Sequence, residues 1–465
     1  MPRKRAGDMD LIIHGGKIIT ADKSLSGDIG IRNGRIAAIS KGLKSGSAEI
    51  FDASGMLVFP GIIDAHVHYQ LPVAGTVTSE DFASGARAAA CGGVTTVIDF
   101  AIQEKGGKLR DAIDKRRAEA DGKAAIDYSL HAVPTDWNEK TRGEIRDIIE
   151  YGISSFKIYM VYPGLMSNDA ALFEALEETS ESGGMVTVHA ESASVLEMLV
   201  NRYHNVADMK RYGAYCHALS RPNYVEYEAI SRAITWAKET GGRLYIVHLS
   251  TAEGVDLIRK AKKAGVKVYA ETCPHYLLLN DSVFKKADGH LYATCPQVKK
   301  RRDSLALWRG LADGTISVAA TDSCTFTREQ KDRWDGDFTK IPYGLPGAET
   351  LLPLMYTYGV GAGRLSVRKM AQVLSTNPAK LLGLYPQKGT IAIGSDADLV
   401  IFDPCKKMTI SHKNLQTNCD WSPYEGFRVK GYPIATFSRG RLAARDGAPV
   451  DSKGQFIRRK AGTDL

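Results

Sequence analysis

The chain has 465 residues, 44% hydrophobic and 25% charged, with a formal net charge of +8 and seven cysteines. That composition belongs to an ordinary globular protein and excludes a disordered or collagen-like chain. The odd cysteine count and the lack of any Cys-x-x-Cys pair exclude a disulfide framework or zinc ribbon, and reduced thiols in the cytoplasm are expected. At the start, Arg3, Lys4 and Arg5 are followed by no apolar run, so a secretory signal is not expected. Short apolar runs then follow at Leu11 to Ile13, Lys17 to Thr20, Ile29 to Arg32 and Arg35 to Ile39. They read as strands, and Asn33-Gly34 reads as a two-residue hairpin turn. Residues 1–60 are expected to form the first part of a β domain.

From residue 61 to 385 the pattern alternates. Eight short apolar runs occur at Ile62 to Ala65, Val94 to Phe100, Ile126 to Val133, Ile153 to Tyr159, Met185 to Ala190, Leu244 to Leu249, Val266 to Glu271 and Ile316 to Ala320. Stretches with helical period separate most of them, among them Glu80 to Ala90, Leu109 to Ala120, Tyr224 to Glu239, Glu253 to Ala264 and Ser304 to Leu311. Eight strands alternating with helices predict a (β/α)₈ TIM barrel. The basic run Lys299, Lys300, Arg301 and Arg302 has no interleaved aromatic residues, so it reads as one exposed loop and not as a nucleic-acid surface.

Strand-like runs return at Ala397 to Phe402, Met408 to Ile410 and Ile434 to Arg439. Residues 386–465 therefore read as the rest of a small β-sandwich-like domain made by both ends of the chain. Arg458, Arg459 and Lys460 read as a solvated end. No apolar stretch approaches the ~20 residues of a membrane span, so no membrane partner is expected.

The polar residues on the barrel runs fall at corresponding places. His66 and His68 close the first run in Asp-Ala-His-Val-His, and Lys157 lies in the fourth. His189 ends the fifth, His248 the sixth and Asp322 the eighth. Parallel barrel strands all end on one face, where barrel active sites sit, so these six residues are expected to converge there. His66 and His68 are two apart on a strand and share a face. Four imidazoles and a carboxylate suit one or two borderline divalent cations, zinc above all, with manganese and cobalt also admissible. A buried lysine fits less simply, because an ammonium repels cations. His131 has no assigned role.

Long strings carry a family resemblance. They include Phe-Pro-Gly-Ile-Ile-Asp-Ala-His-Val-His (59–68), Ser-Phe-Lys-Ile-Tyr-Met-Val-Tyr (155–162), His-Ala-Leu-Ser-Arg-Pro (217–222) and Glu-Thr-Cys-Pro-His-Tyr-Leu (271–277). The chain resembles the dihydropyrimidinases and hydantoinases, cyclic amidohydrolases of the amidohydrolase superfamily, over nearly its whole length. The resemblance implies a metal-dependent hydrolase that opens a cyclic ureide or imide, such as a dihydropyrimidine or 5-substituted hydantoin, to an N-carbamoyl amino acid. It implies that His66, His68 and Asp322 hold one metal and His189 and His248 the other, with Lys157 carboxylated by carbon dioxide to bridge them. It further implies that Asp322 acts as general base and acid, that Tyr162 stabilises the oxyanion, and that the protein is a homotetramer or dimer.

Three places depart from the family pattern. Cys295 stands where a Ser or Thr usually contacts the substrate, Ser323 replaces a histidine beside Asp322, and Tyr343 replaces an asparagine before glycine. They mark possible pocket lining and motivate an alternative, an amidohydrolase for a different cyclic amide. Tyr69 and Gln70 after His68 separate the chain from dihydroorotases and allantoinases, which typically carry an arginine or Glu-Pro there. The dihydropyrimidinase-related proteins that act as non-catalytic interaction partners lose metal ligands, whereas all six are present here.

Overall fold

A computed structural model describes residues 9–44 and 46–465; Arg3, Lys4 and Arg5 lie outside the described residues. All eight expected barrel strands form: β1 (Ile62–Asp64), β2 (Val94–Ile102), β3 (Asp127–Val133), β4 (Ser155–Tyr159), β5 (Met185–His189), β6 (Leu244–Ile246), β7 (Val268–Thr272) and β8 (Val318–Ala319). They pair in chain order, each parallel to the next. β1 and β8 close the ring just beyond their ends. Val67 bridges Ser323 in parallel, His68 N–H donates to the Ser323 carbonyl at 2.8 Å, and Thr321 N–H donates to Asp64 Oδ1 at 3.0 Å. Both faces of such strands are covered, so β2, β3, β4 and β5 read as nearly unbroken buried runs rather than alternating ones.

The helices follow the sequence closely. They span Phe82–Cys91, Leu109–Ala120, Asn223–Thr240, Ala252–Lys263 and Arg301–Asp313 in five of the connections. Thr251 caps the fourth by accepting from Gly254 N–H, and its closing turn carries Lys260, Lys262 and Lys263, cations suited to a helix C-terminus.

Both ends of the chain build one nine-stranded sheet. Leu57–Pro60 pairs antiparallel with residues 399–402 and joins the two halves. Phe51 and Phe437, on strands well separated in the sheet order, touch edge to face at 5.4 Å, so the sheet folds over its own apolar core. Asn33 and Gly34, with φ of 51° and 74°, make the expected hairpin turn, which needs two left-handed residues. Two pairs of expected strands prove to be single ones. Leu11–Ile19 runs through an irregularity at His14-Gly15, and Leu399–Thr409 runs through another between Asp403 and Lys407. One extra residue in the first and two in the second interrupt the alternation without ending the strand.

The basic runs are not wholly solvated, contrary to the expectation from sequence. Lys300, Arg301 and Arg302 are exposed, but Lys299 is buried and donates to the Arg221 carbonyl at 3.0 Å. Arg459 is buried as well. It donates to Ser129 Oγ at 2.9 Å, Ser155 Oγ at 2.8 Å and the Leu130 carbonyl, all on β3 and β4. Its partners are neutral oxygens, and burial pulls its pKa down to about 9.

Where the sheet meets the barrel, Asp127, Asp396 and Asp398 crowd together. Lys388 answers them, with Nζ 2.7 Å from Asp127, 2.6 Å from Asp398 and 3.3 Å from Asp396, and Arg439 Nε adds a contact of 3.1 Å to Asp127. Removing one partner from such a buried set strands the others in low dielectric. Lys388→Met is expected to lower the unfolding free energy by about 3–5 kcal/mol. Urea denaturation checks this, and an unmoved midpoint would show that the cluster carries no net stabilisation.

Candidate metal centre

The barrel brings the histidine and aspartate residues named from the sequence to one mouth. His66 and His68 follow β1, Lys157 lies within β4, His189 ends β5, His248 follows β6 and Asp322 follows β8. Three lone-pair atoms converge: His66 Nε2 is 3.2 Å from His68 Nε2, and Asp322 Oδ1 is 3.1 Å and 3.2 Å from them. Ligands about 2.1 Å from a tetrahedral zinc sit roughly 3.4 Å apart, so this spacing and this N,N,O set fit a divalent ion. The His189 and His248 rings meet edge to face with centroids 4.5 Å apart, and the His248 ring centre is 5.5 Å from that of His66.

Protonation suits this reading. Burial holds the His68, His189 and His248 imidazoles below their ordinary range, which leaves their lone pairs free at neutral pH. Burial opposes ionisation of Asp322, yet His66 and His68 together hold its carboxyl well below the usual carboxylate range. Lys157 is 1% exposed, with Nζ 5.3 Å from the Phe100 ring centre and 4.9 Å from that of Tyr159. Burial pulls its pKa down to about 7, against the pull of Asp322 and Glu271.

Carboxylates that the sequence reading left without a role set the rings. Glu271 on β7 lies 2.5 Å from His66 Nδ1, accepts from His248 N–H at 3.2 Å and receives the Tyr245 hydroxyl at 2.8 Å. Glu191 lies 2.9 Å from His189 Nε2. Each such carboxylate fixes which ring nitrogen is left for a metal. Glu271 carried one legible signal, its place at the end of the seventh run. His131 also finds a role, bonded by Nδ1 to Ser155 Oγ at 2.6 Å and by Nε2 to the Ala65 carbonyl at 3.0 Å.

The backbone is strained at this mouth. Tyr162, His248 and Asp322 have φ of 79°, 40° and 50°, conformations that cost a non-glycine residue about 1–3 kcal/mol each. The Tyr162 hydroxyl donates to Glu191 Oε2 at 3.3 Å, and burial keeps the phenol well above its ordinary pKa. Cys295 adjoins it. Tyr343 is half-buried, its ring 4.7 Å from that of His217 and 5.1 Å from the Arg221 guanidinium. Ser323 is buried, and its Oγ accepts from Gly347 N–H at 3.3 Å.

A barrel that gathers such donors at its mouth defines a class of hydrolases with a candidate metal centre. The chain belongs to the Amidohydrolase family, whose model matches residues 57–443. It is 39% identical to a D-hydantoinase from Geobacillus stearothermophilus over 97% of each chain. It is 40% identical to a D-phenylhydantoinase from Escherichia coli over 97% of this chain and 98% of the relative. A crystal structure of dihydropyrimidinase from Brevibacillus agri superposes with a TM-score of 0.95 at 37% identity, covering 98% of this chain and all of that one.

Glu271→Gln keeps the shape but weakens the hold on His66 Nδ1. It is expected to lower metal affinity by about 10–100-fold, measured by competition with a chelator. Unchanged affinity would mean that Glu271 does not orient the ligands.

Proposed function

We propose that this chain is a two-metal cyclic amidohydrolase that opens a cyclic ureide or imide, a dihydropyrimidine or a 5-substituted hydantoin, to an N-carbamoyl amino acid. The observation that carries the reading is the convergence of His66, His68 and Asp322 within 3.2 Å, beside His189 and His248. His66, His68 and Asp322 would hold one ion, and His189 and His248 the other. Bound divalent cations, zinc in the simplest case, would acidify water and polarise the ring carbonyl.

The chain's own groups do the rest. Lys157, held near pKa 7 by burial, offers a neutral amine. Attack of its nitrogen on carbon dioxide would form an N–C bond and release one proton, and the carbamate so formed would replace a repelling cation with an anion able to help hold the metals. Asp322 is ionised, so its carboxylate accepts the proton of the attacking water and returns it to the departing ring nitrogen. Tyr162 keeps its hydroxyl proton and donates it as a hydrogen bond toward the oxygen where negative charge develops. Cys295 and Tyr343 stand beside Tyr162 and Arg221, where they would shape the ring's seat. We place the protein in the cytoplasm and expect a homo-oligomer, tetramer or dimer.

The test is ring opening by zinc-loaded protein with bicarbonate, on dihydrouracil, hydantoin, 5-phenylhydantoin, dihydroorotate, allantoin and succinimide. Turnover of dihydrouracil or a hydantoin is expected. Turnover of succinimide alone would favour the second reading, an imide hydrolase, which the altered wall at Tyr343 motivates. Lys157→Ala is expected to lose metal and turnover together; a variant keeping two metals and full activity would remove the bridging role.

A further inference from the structure

Two of the four histidines at the barrel mouth have a carboxylate behind the ring and two do not. Glu271 meets His66 Nδ1, and Glu191 meets His189 Nε2. His68 Nδ1 and His248 Nδ1 are buried and have no hydrogen-bond partner among the described residues. A ligand imidazole ordinarily takes its orientation from the bond at its second nitrogen. His68 lacks that bond, yet its Nε2 lies 3.2 Å from both His66 Nε2 and Asp322 Oδ1. A different contact must set its plane.

That contact is with Phe100 on β2. The Phe100 ring stacks on His68 with centroids 4.7 Å apart and planes 23° apart, and it meets His66 at 4.7 Å. Phe100 is itself held from the β3 side. β2 lies between β1 and β3, and the register pairs Phe100 with His131. The His131 ring stacks on Phe100 at 4.8 Å and 24°. His248 has no ring lying flat on it, since His189 meets it edge to face.

His131 is fixed at both nitrogens. Its Nε2 donates to the Ala65 carbonyl at 3.0 Å, because a carbonyl only accepts, and its Nδ1 accepts from the Ser155 hydroxyl at 2.6 Å. Ser155 Oγ accepts in turn from Arg459 at 2.8 Å. Burial, with the Arg459 charge adding to it, holds the His131 imidazole well below its ordinary range, so the ring is neutral. Phe100 and His131 are both buried, and close packing leaves neither ring room to swing. One continuous run of contacts passes from Arg459 through Ser155, His131 and Phe100 to His68.

We propose that Phe100 is a positioning residue of the metal centre: the stacking of its ring on His68 fixes the plane of that imidazole and aims Nε2 at the ion, the task that a carboxylate performs for His66 and His189. The inference rests on His68 holding a metal, as in the function proposed above. Stacking restrains the tilt of the ring and adds no negative charge, whereas a carboxylate also raises the basicity of the ligand. Without Phe100 the His68 ring is free to turn, because Nδ1 has no bond to restore it.

The experiment loads the full-length protein with cobalt, whose visible absorption reports ligand geometry, and measures the affinity for each ion by chelator competition. Wild-type protein is expected to bind two ions. Phe100→Leu keeps apolar bulk and removes the flat face. It is expected to hold one ion about 10-fold more weakly, with a shifted absorption band, while the other ion keeps its affinity. His131→Leu removes the ring behind Phe100; it is expected to shift the band in the same direction and is the variant to read if Phe100→Leu does not fold. An unchanged spectrum and affinity in the variant read would overturn the role of Phe100 and leave the two-metal reading standing. Equal weakening of both ions with a lowered unfolding midpoint would overturn it as well, by showing a general loosening of the barrel. Wild-type protein that binds no cobalt would overturn this role together with the reading on which it rests.

Discussion

The whole arrangement depends on one seam, where the first barrel strand meets the eighth. Asp64 accepts from both the Thr321 amide and hydroxyl, Val67 bridges Ser323, and His68 N–H reaches the Ser323 carbonyl. These bonds lie within a few residues of His66, His68 and Asp322. The seam that completes the ring therefore also assembles the three-atom cluster. Parallel strands leave the outcome little freedom, because closure puts every strand end on one face. The remaining histidines and Lys157 need only the register of β4, β5 and β6, which places Tyr159 opposite His189 and Lys157 opposite Thr187.

Buried charge is handled differently in each part of the molecule. Between sheet and barrel, Lys388 pairs with three aspartates and Arg439 with one of them, which offsets most of their charge. At the mouth, Glu271 and Glu191 are spent on imidazole nitrogens and so orient the rings. At the other end of β3 and β4, Arg459 is surrounded by neutral oxygens alone. At Glu80 and Glu349 no basic side chain among the described residues is within ion-pair distance, and burial raises both carboxyls toward the neutral form.

Much of this was legible in the sequence, and the reason is topological. Apolar runs ending in His or Asp announce both the strand and the polar residue beyond it, and a parallel barrel gathers those residues without further information. The ring-orienting carboxylates were harder to read, because the value of Glu271 rests on His66 across the barrel. Single strands were read as pairs at His14-Gly15 and at Asp403 to Lys407, where an irregularity breaks the alternation but not the pairing. The run containing Arg459 looked like a solvated end because its partners, Ser129, Leu130 and Ser155, lie about 300 positions earlier and carry no charge to advertise them.

That placement of Arg459 bears on the order in which the protein can be made. Residues 452–464 lie against the barrel: Phe456 bridges Tyr128, Arg459 reaches β3 and β4, and Asp464 pairs with Arg243. The nine-stranded sheet is likewise half built from residues beyond 398. A nascent chain emerging from the ribosome at about 5–20 residues per second therefore carries its eight barrel strands for several seconds with the base of β3 and β4 uncovered. Neither the barrel nor the sheet is sealed until translation has passed residue 459, so the long wait falls on a species with exposed apolar strands, which is where a chaperone would bind.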